Sequence, residues 1–185
     1  MSVPVEQRVV FKHTIEGFFF QALKGKVTER IKQRVLDEAK LDLNRIEPAV
    51  PLSAWNKSFE ICAEELFAGE PAEVALERMG RMMTHGYFET FLGRAVAGVL
   101  KVIGPARALK RLDRSFRSGN NYSEVKVTEL GPTHYRFWCN DTGMARFVVL
   151  GVVSGGGEVA GAKNIRGTVA HHDADGCTLE LMWDA

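Results

Sequence analysis

Arg117-Ser118-Gly119-Asn120-Asn121-Tyr122-Ser123-Glu124-Val125-Lys126-Val127-Thr128-Glu129-Leu130-Gly131-Pro132-Thr133-His134-Tyr135-Arg136-Phe137-Trp138-Cys139-Asn140 is where the period of the sequence changes. Before it, apolar residues recur at threes and fours, as on a helix. After Gly119 they alternate, as on a strand with one buried face. Tyr122 to Leu130 and His134 to Asn140 are separated by Gly131-Pro132, so the pair predicts an antiparallel hairpin. Tyr135, Phe137 and Cys139 share one face, and Arg136, Trp138 and Asn140 the other.

Toward the N-terminus the signals are helical. Thr14 is placed to cap a helix that gathers Ile15, Phe18, Phe19, Ala22 and Leu23 on one side and stops at Gly25. Thr28 caps a second, with Ile31, Val35 and Leu36 inward and Glu29, Arg30, Lys32, Gln33, Arg34, Asp37 and Glu38 on a solvated face. Pro48 and Pro51 break the chain, and Ser53 then caps a helix carrying Trp55, Phe59, Cys62, Ala63, Leu66 and Phe67. Gly69-Glu70-Pro71 opens a stretch from Ala72 to Ile103 that reads as one long helix or two broken near Gly86-Tyr87. Its Phe88 to Ile103 side is apolar enough to be expected at the centre of the fold. After Gly104-Pro105 another helix runs to about Phe116 and buries Leu109, Leu112 and Phe116.

Toward the C-terminus, Met144 to about Gly161 is a helix weakened by Gly155-Gly156-Gly157 at roughly 1 kcal/mol per glycine relative to alanine. Strands at Asn164 to His172 and Cys177 to Trp183 flank the turn Asp173-Ala174-Asp175-Gly176. About five helices followed by strand, strand, helix, strand, strand is an α+β order: a small antiparallel sheet on a helical bundle. With no repeat and no linker, residues 1–185 are expected to form one domain, with a helical lobe 1–118 and a sheet lobe 119–185.

Composition narrows the functional classes. At 185 residues, 45% hydrophobic and 25% charged, the chain can fill one core, and its net charge of +1 provides no global field for polyanions. That total hides a division: 19 basic and 15 acidic residues up to Ser118, and 5 basic and 8 acidic after it. Cys62, Cys139 and Cys177 are odd in number and widely spaced, which points to free, packed thiols in a reducing compartment. The N-terminal residues lack a signal-peptide core, and the apolar run Ala95 to Ile103 is too short to span a bilayer, so a cytoplasmic location is expected.

The sharpest charge feature is Arg107, Lys110, Arg111, Arg114 and Arg117, at threes and fours opposite Leu109, Leu112 and Phe116, with only Asp113 among them. Such a stripe is a solvated helix face or a surface for an anion or acidic partner. Without interleaved aromatics it does not suit single-stranded nucleic acid. The following segment, Arg117 to Tyr122, is polar at the junction of the lobes, and either orders a turn or contacts a ligand. His171-His172-Asp173, Asp175 and Cys177 do not make a metal site, because adjacent strand residues face opposite ways. His85, on a helix beside apolar residues, is where a haem ligand would sit, or equally a histidine hydrogen-bonded to a neighbouring helix. There is no Gly-x-Ser-x-Gly elbow, activated cysteine or dinucleotide loop, and Glu64-Glu65 lies on a helix face, so no catalytic constellation stands out.

Val10-Phe11-Lys12-His13-Thr14-Ile15-Glu16-Gly17, Gly86-Tyr87-Phe88-Glu89-Thr90, Leu92-Gly93-Arg94, Phe116-Arg117-Ser118-Gly119-Asn120-Asn121-Tyr122, Glu129-Leu130-Gly131-Pro132 and Asp175-Gly176-Cys177-Thr178 together form a further pattern. By it the chain resembles a myxobacterial paralogous family of unknown function whose members have roughly 200 residues, the size of one domain. Arg-Ser-Gly-Asn-Asn-Tyr is its most specific piece, and the glycine run at 155–157 departs from it. The resemblance implies cytoplasmic bacterial proteins and brings no activity with it. At fold level the element order is similar to haem-NO-binding, vinyl-reductase-like and TRAPP-type domains, which hold small molecules or acyl chains between helices and sheet. Tyr122-Ser123-Glu124 does not match the Tyr-x-Ser-x-Arg propionate clamp of the haem members, and the zinc-binding cysteine cluster of some vinyl-reductase-like members is missing.

The function expected is a non-enzymatic binding module in bacterial signalling or regulation, without cofactor, metal, nucleic acid or membrane span. It would take a small, partly apolar or anionic ligand, or a protein partner, at the lobe junction, walled by Trp55, Tyr87, Phe91, Trp138, Arg117, Asn120, Asn121 and Tyr122. The alternative is a homodimeric or partner-binding regulatory protein using Arg107, Lys110, Arg111 and Arg114, and a third reading is a haem or gas sensor through His85.

Overall fold

The computed structural model describes residues 3–185. Among the described residues, eight α-helices and six strands are formed, in an α+β arrangement. Strand β1 (Val9–Phe11) pairs antiparallel with β2 (Ala49–Pro51). Between them run α1 (Lys12–Glu16), a π-helical turn Gly17–Ala22 and α2 (Glu29–Ala39). The π turn closes with Leu23 N–H donating to Phe18 O, five residues back, and both Phe18 and Phe19 are buried in it. Phe18 stacks on Phe59 and meets Trp55 edge-on, at ring-centroid distances of 4.3 and 5.4 Å. Thr28 caps α2 as expected, its hydroxyl accepting from Ile31 N–H at 3.2 Å.

Helices α3 (Leu52–Leu66) and α4 (Ala72–Glu89) complete the helical core. Then come α5 (Phe91–Ile103), α6 (Pro105–Leu109) and α7 (Leu112–Gly119). Strands β3 (Val125–Gly131), β4 (His134–Cys139), β5 (Lys163–His172) and β6 (Cys177–Asp184) form one antiparallel sheet in the order β3-β4-β6-β5. Its inner face buries Tyr135, Phe137, Cys139, Cys177, Leu179, Leu181 and Trp183, the alternation read from the sequence. Helix α8 (Ala145–Val159) lies between this sheet and α4.

The α4–α8 contact explains the glycines. A Cβ on Gly80 would stand 2.1 Å from Val148 O, and one on Gly151 would stand 1.9 Å from Glu77 O. The two backbones touch, so only hydrogen fits at either position. Gly155 continues the seam, where a Cβ would be 3.2 Å from Thr84 Cβ, and one on Gly157 would be 2.6 Å from Ile165 Cδ1. The glycine run that lowers helix propensity is therefore what lets α8 pack, and the helix stays continuous through it.

Several local expectations need correction. Thr14 lies inside α1 and is not its cap; its hydroxyl donates to Gly119 O at 3.2 Å, tying the first helix to the end of α7. Ser53 lies inside α3, whose first turn has no side-chain cap. Leu36 is 42% exposed, one step off the Ile31–Val35 stripe. The long helical stretch breaks at Thr90, which caps α5 by accepting from Gly93 N–H at 2.9 Å, and not at Gly86. The element at the centre is α4, not the Phe88–Ile103 segment, because α5 buries only Gly93. The helix after Pro105 divides at Lys110-Arg111 into α6 and α7, which interrupts the basic stripe. Asn140, expected on the outer face, is buried. Strands β1 and β2 have three residues each, too few to show a period.

Candidate functional site

Two regions collect the residues singled out from the sequence. The first is a polar seam joining the N-terminal strand to the hairpin. Val9 N–H donates to Asn121 Oδ1 at 2.9 Å, Asn121 Nδ2 donates to Gln7 O at 3.0 Å, and Asn121 N–H donates to Val9 O at 3.2 Å. The Asn121 side chain thus extends the pairing of β1 by one rung. Asn120 Oδ1 accepts from both Tyr122 N–H and Ser123 N–H, an Asx turn that starts the hairpin. Asn140 closes the other side, with Oδ1 accepting from Glu124 N–H and Nδ2 donating to Tyr122 O, both at 2.9 Å. Buried Tyr122 donates its hydroxyl to Asp141 Oδ1, and the Arg8 guanidinium sits 5.2 Å from the Tyr122 ring centroid while donating to Asn140 O. Burial raises the Asp141 carboxyl above its ordinary range, against the Tyr122 hydrogen bond and the nearby Arg8, which pull it down. Asn120, whose Nδ2 donates to Ser123 Oγ at 2.8 Å, and Asn121 are occupied within the fold, so this segment works as a clamp.

The second region is α5. Its 13 residues include only Arg94 and Lys101 as charged groups, the composition of a helix buried on all sides. Val96, Ala97, Leu100 and Ile103 are half-buried against the body of the protein. The opposite stripe, Phe91, Leu92, Ala95, Val99 and Val102, is exposed, and Phe91 and Val102 are each 87% accessible. The tight α4–α5 corner holds it there: a Cβ on Gly93 would be 1.9 Å from Tyr87 O, and Thr90 Oγ1 donates to Tyr87 O at 2.7 Å. Tyr87, 43% exposed, lies at the same end of the helix.

Basic side chains from the following helices lie next in the chain. From Phe91 to Gly119 there are seven basic residues and one acidic one. Lys110 is bound to Glu129 at 2.7 Å and Arg117 to Asp113 at 2.9 Å. Among the described residues, Lys101, Arg107, Arg111 and Arg114 have no carboxylate partner, and Arg94 spends a donor on Glu89 O.

The eight residues expected to wall one ligand pocket do not converge. Trp55 is in the helical core, Tyr87 and Phe91 are on the exposed corner, Asn120 to Tyr122 form the clamp, and Trp138 is on the outer sheet face under Lys126 at 5.0 Å. The two best-formed pockets are elsewhere, and none of the eight lines them. One, of about 420 Å³, lies between α4, α8 and β5; the other, of about 300 Å³, lies where Arg8, the first turn of α3 and Asp141 meet. Arg8 and Asp141 carry no local sequence signal, because they are 133 positions apart and only pairing of β1 with the hairpin brings them together.

His85 Nε2 is 3.1 Å from Glu158 Oε2 at the surface of the α4–α8 seam. His134 Nε2 is 2.6 Å from Glu180 Oε1, and His171 Nε2 is 3.2 Å from Asp173 Oδ2 in the terminal hairpin. No three His, Cys, Asp or Glu side chains among the described residues are grouped as a metal ion would need. Among the described residues, no helix is long and apolar enough to cross a membrane.

The sequence pattern of one family, described as a protein of unknown function (DUF2378), matches residues 8–184. No curated protein matches the chain. Solved structures do. An oxygen-binding H-NOX domain related to soluble guanylate cyclases is similar at 12% identity over 94% of this chain and 95% of that one, with a TM-score of 0.66. The Fe(II) unliganded H-NOX protein of K. algicida is similar at 10% identity, covering 93% and 95%, with a TM-score of 0.64. For an H-NOX protein of S. oneidensis the values are 15%, 91% and 99%, and 0.62. At such identities the likeness is one of fold.

Proposed function

The chain belongs to that DUF2378 family, whose description names no activity, and from its own surface we propose that it is a non-enzymatic binding module that docks an acidic protein partner on α5. The observation that carries this is the uncovered stripe of Phe91, Leu92, Val99 and Val102 on a helix with the composition of a buried one. Lys101, Arg107, Arg111 and Arg114 supply charge without internal partners, which fits an apolar groove rimmed by carboxylates. A second copy of the chain is a poorer occupant, because pairing α5 with itself brings Arg94 and Lys101 of both copies together. A place in bacterial regulation, in the cytoplasm, is consistent with three free thiols and with the family resemblance.

Haem, which the descriptions of two further similar structures name, has no support from the packing of this chain. Where the α4 and α8 backbones touch at Gly80 and Gly151 there is no space for a planar macrocycle. His85 faces Glu158 at the surface, and the histidine in the lining of the α4–α8–β5 pocket, His172, sits in an open surface depression.

A photo-crosslinker at Val99, used in cells of the source organism, tests the docking surface. The expected result is a crosslink to an acid-rimmed apolar segment of one protein, lost in both Phe91→Ser and the Arg111→Glu, Arg114→Glu double variant. Crosslinks indifferent to charge reversal would overturn the proposal. So would a dimer broken by Phe91→Ser, or charge-dependent sedimentation with anionic phospholipid vesicles in the absence of any protein crosslink.

A further inference from the structure

Cys139 and Cys177 are 38 positions apart and read in the sequence as packing residues. The register of β4 against β6 sets them directly opposite each other, with their Sγ atoms 3.4 Å apart. Directly opposed residues of an antiparallel pair have Cβ atoms about 4.5–5.5 Å apart, and a disulfide takes about 3.5–4.5 Å, so closure needs only a small inward movement. Cys62, in α3, belongs to the separate helical core.

The two thiols are not equivalent. The hydrogen bond shared with Cys139 lowers the Cys177 thiol from its ordinary value and the Arg146 guanidinium lowers it further, while burial and Asp141 act the other way. Arg146 has no carboxylate partner among the described residues, and its Nε is buried without a hydrogen-bond acceptor. Cys139 is held well above the ordinary thiol range by the same hydrogen bond, with burial adding to the shift. Burial, opposed by Arg34 and aided by Glu65, pushes Cys62 up to about 12, so it stays a protonated, unreactive thiol. The pair therefore has one sulfur suited to attack and one suited to follow. It lies at an end of the sheet, where β6 leaves the exposed turn Asp173–Gly176 and β4 runs into the Asn140–Asp141 seam. Both thiols are buried in the sheet core, so a small oxidant reaches them only when that hairpin end frays.

We propose that Cys139 and Cys177 are a peroxide-oxidised dithiol that closes to a disulfide across β4 and β6. The Cys177 thiolate attacks hydrogen peroxide; an S–O bond forms as the O–O bond breaks, leaving Cys177 as sulfenic acid and releasing hydroxide, which takes up the proton lost by the thiol. Cys139 sulfur then attacks the sulfenic sulfur. The S–S bond forms, the S–O bond breaks, and the hydroxide leaves as water with the Cys139 proton. Two electrons pass from the sulfurs to the peroxide, and two waters are released.

The test uses the full chain under native conditions. It is treated with hydrogen peroxide, then denatured and alkylated, and read by intact mass and peptide mapping. The expected product is two hydrogens lighter, carries one alkyl group, on Cys62, contains a linked Cys139–Cys177 peptide, and reverts with dithiothreitol. In Cys139→Ser the reaction should stop at a sulfenic acid on Cys177 that dimedone traps, and in Cys177→Ser the peroxide reaction should be lost. Three alkylated thiols after native treatment would overturn the proposal, as would linkage that appears only in denaturant or involves Cys62 as often as the pair.

Discussion

The Tyr122 hydroxyl donates to Asp141 Oδ1 at 2.9 Å with both side chains buried, so the hairpin and the segment leading into α8 share a carboxylate removed from water. Because burial raises the Asp141 value above that of the unfolded chain, the native state binds more protons here. Stability then falls as pH rises from the unfolded to the folded value and stays at that lower level above it. Asp141→Asn keeps an oxygen for the Tyr122 hydroxyl and removes the charge. Its melting temperature should exceed that of the parent at pH near 7, with the gap closing as pH falls to about 4, the ordinary aspartate range. A variant that melts lower at every pH would contradict this account. Tyr122→Phe leaves the carboxylate short of a donor and should cost about 1–3 kcal/mol in urea unfolding.

Glycines on different helix faces should respond oppositely to the same methyl group. Gly80→Ala and Gly151→Ala force a Cβ against backbone carbonyls across the α4–α8 seam, which neither helix can yield without separating. Each should destabilise by about 1–3 kcal/mol or more, measured by denaturant midpoint. Gly98 on α5 and Gly156 on α8 have nothing within 4 Å of the added carbon. Gly98→Ala and Gly156→Ala should stabilise by about 0.5–1 kcal/mol through helix propensity alone.

The same glycines mark what was legible from the sequence. Periodicity located β3, β4, β5 and β6 within a few residues, because the alternation of a strand is a local pattern, and the apolar run of α8 was legible beside it. The turn Asp173–Gly176 was legible for the same reason: Asp173 Oδ1 accepts from Asp175 N–H and Gly176 N–H. Gly155-Gly156-Gly157 read as a weakness, since propensity does not record that α4 packs against Gly155 and Ile165 against Gly157. α5 was read as central because Phe91, Leu92, Val99 and Val102 are apolar, and nothing in a sequence distinguishes a helix covered by its own chain from one left for another. The clamp was found as a segment, but its partners Gln7, Val9 and Asp141 come from distant positions and carry no signal of their own.

Arg34 should make the α2–α3 contact sensitive to acid. Its guanidinium reaches Glu38, Glu64 and Glu65 at 2.6, 2.7 and 2.9 Å. The hydrogen bonds from Arg34 hold Glu38 and Glu65 below the ordinary carboxylate range, so they contribute stability above the unfolded value that is lost as pH falls through the folded one. Arg34→Met should lower the melting temperature at pH 7 and flatten its decline below about pH 4.5, where ordinary glutamates protonate. An unchanged acid slope would show that the cluster is solvated too well to matter.

If α5 is held out for a partner and the α4–α8 interior is closed, two measurements on the isolated chain should agree. Phe91→Ser and Val102→Ser remove side chains that are 87% exposed, so each should leave the denaturant midpoint within about 0.5 kcal/mol of the parent while reducing dye binding to exposed apolar surface. Were α5 instead a collapsed wall of an internal cavity, the same substitutions would destabilise by the larger amounts typical of core truncation. Titration with haemin reports on the interior independently. A closed interior predicts no stoichiometric Soret band of a histidine-ligated haem and no effect of His85→Ala on the spectrum, because His85 is engaged with Glu158 at the surface. A saturating band that His85→Ala abolishes, together with destabilising α5 variants, would mean that α4 and α8 separate to form a pocket and that the glycine seam is only one state of the fold.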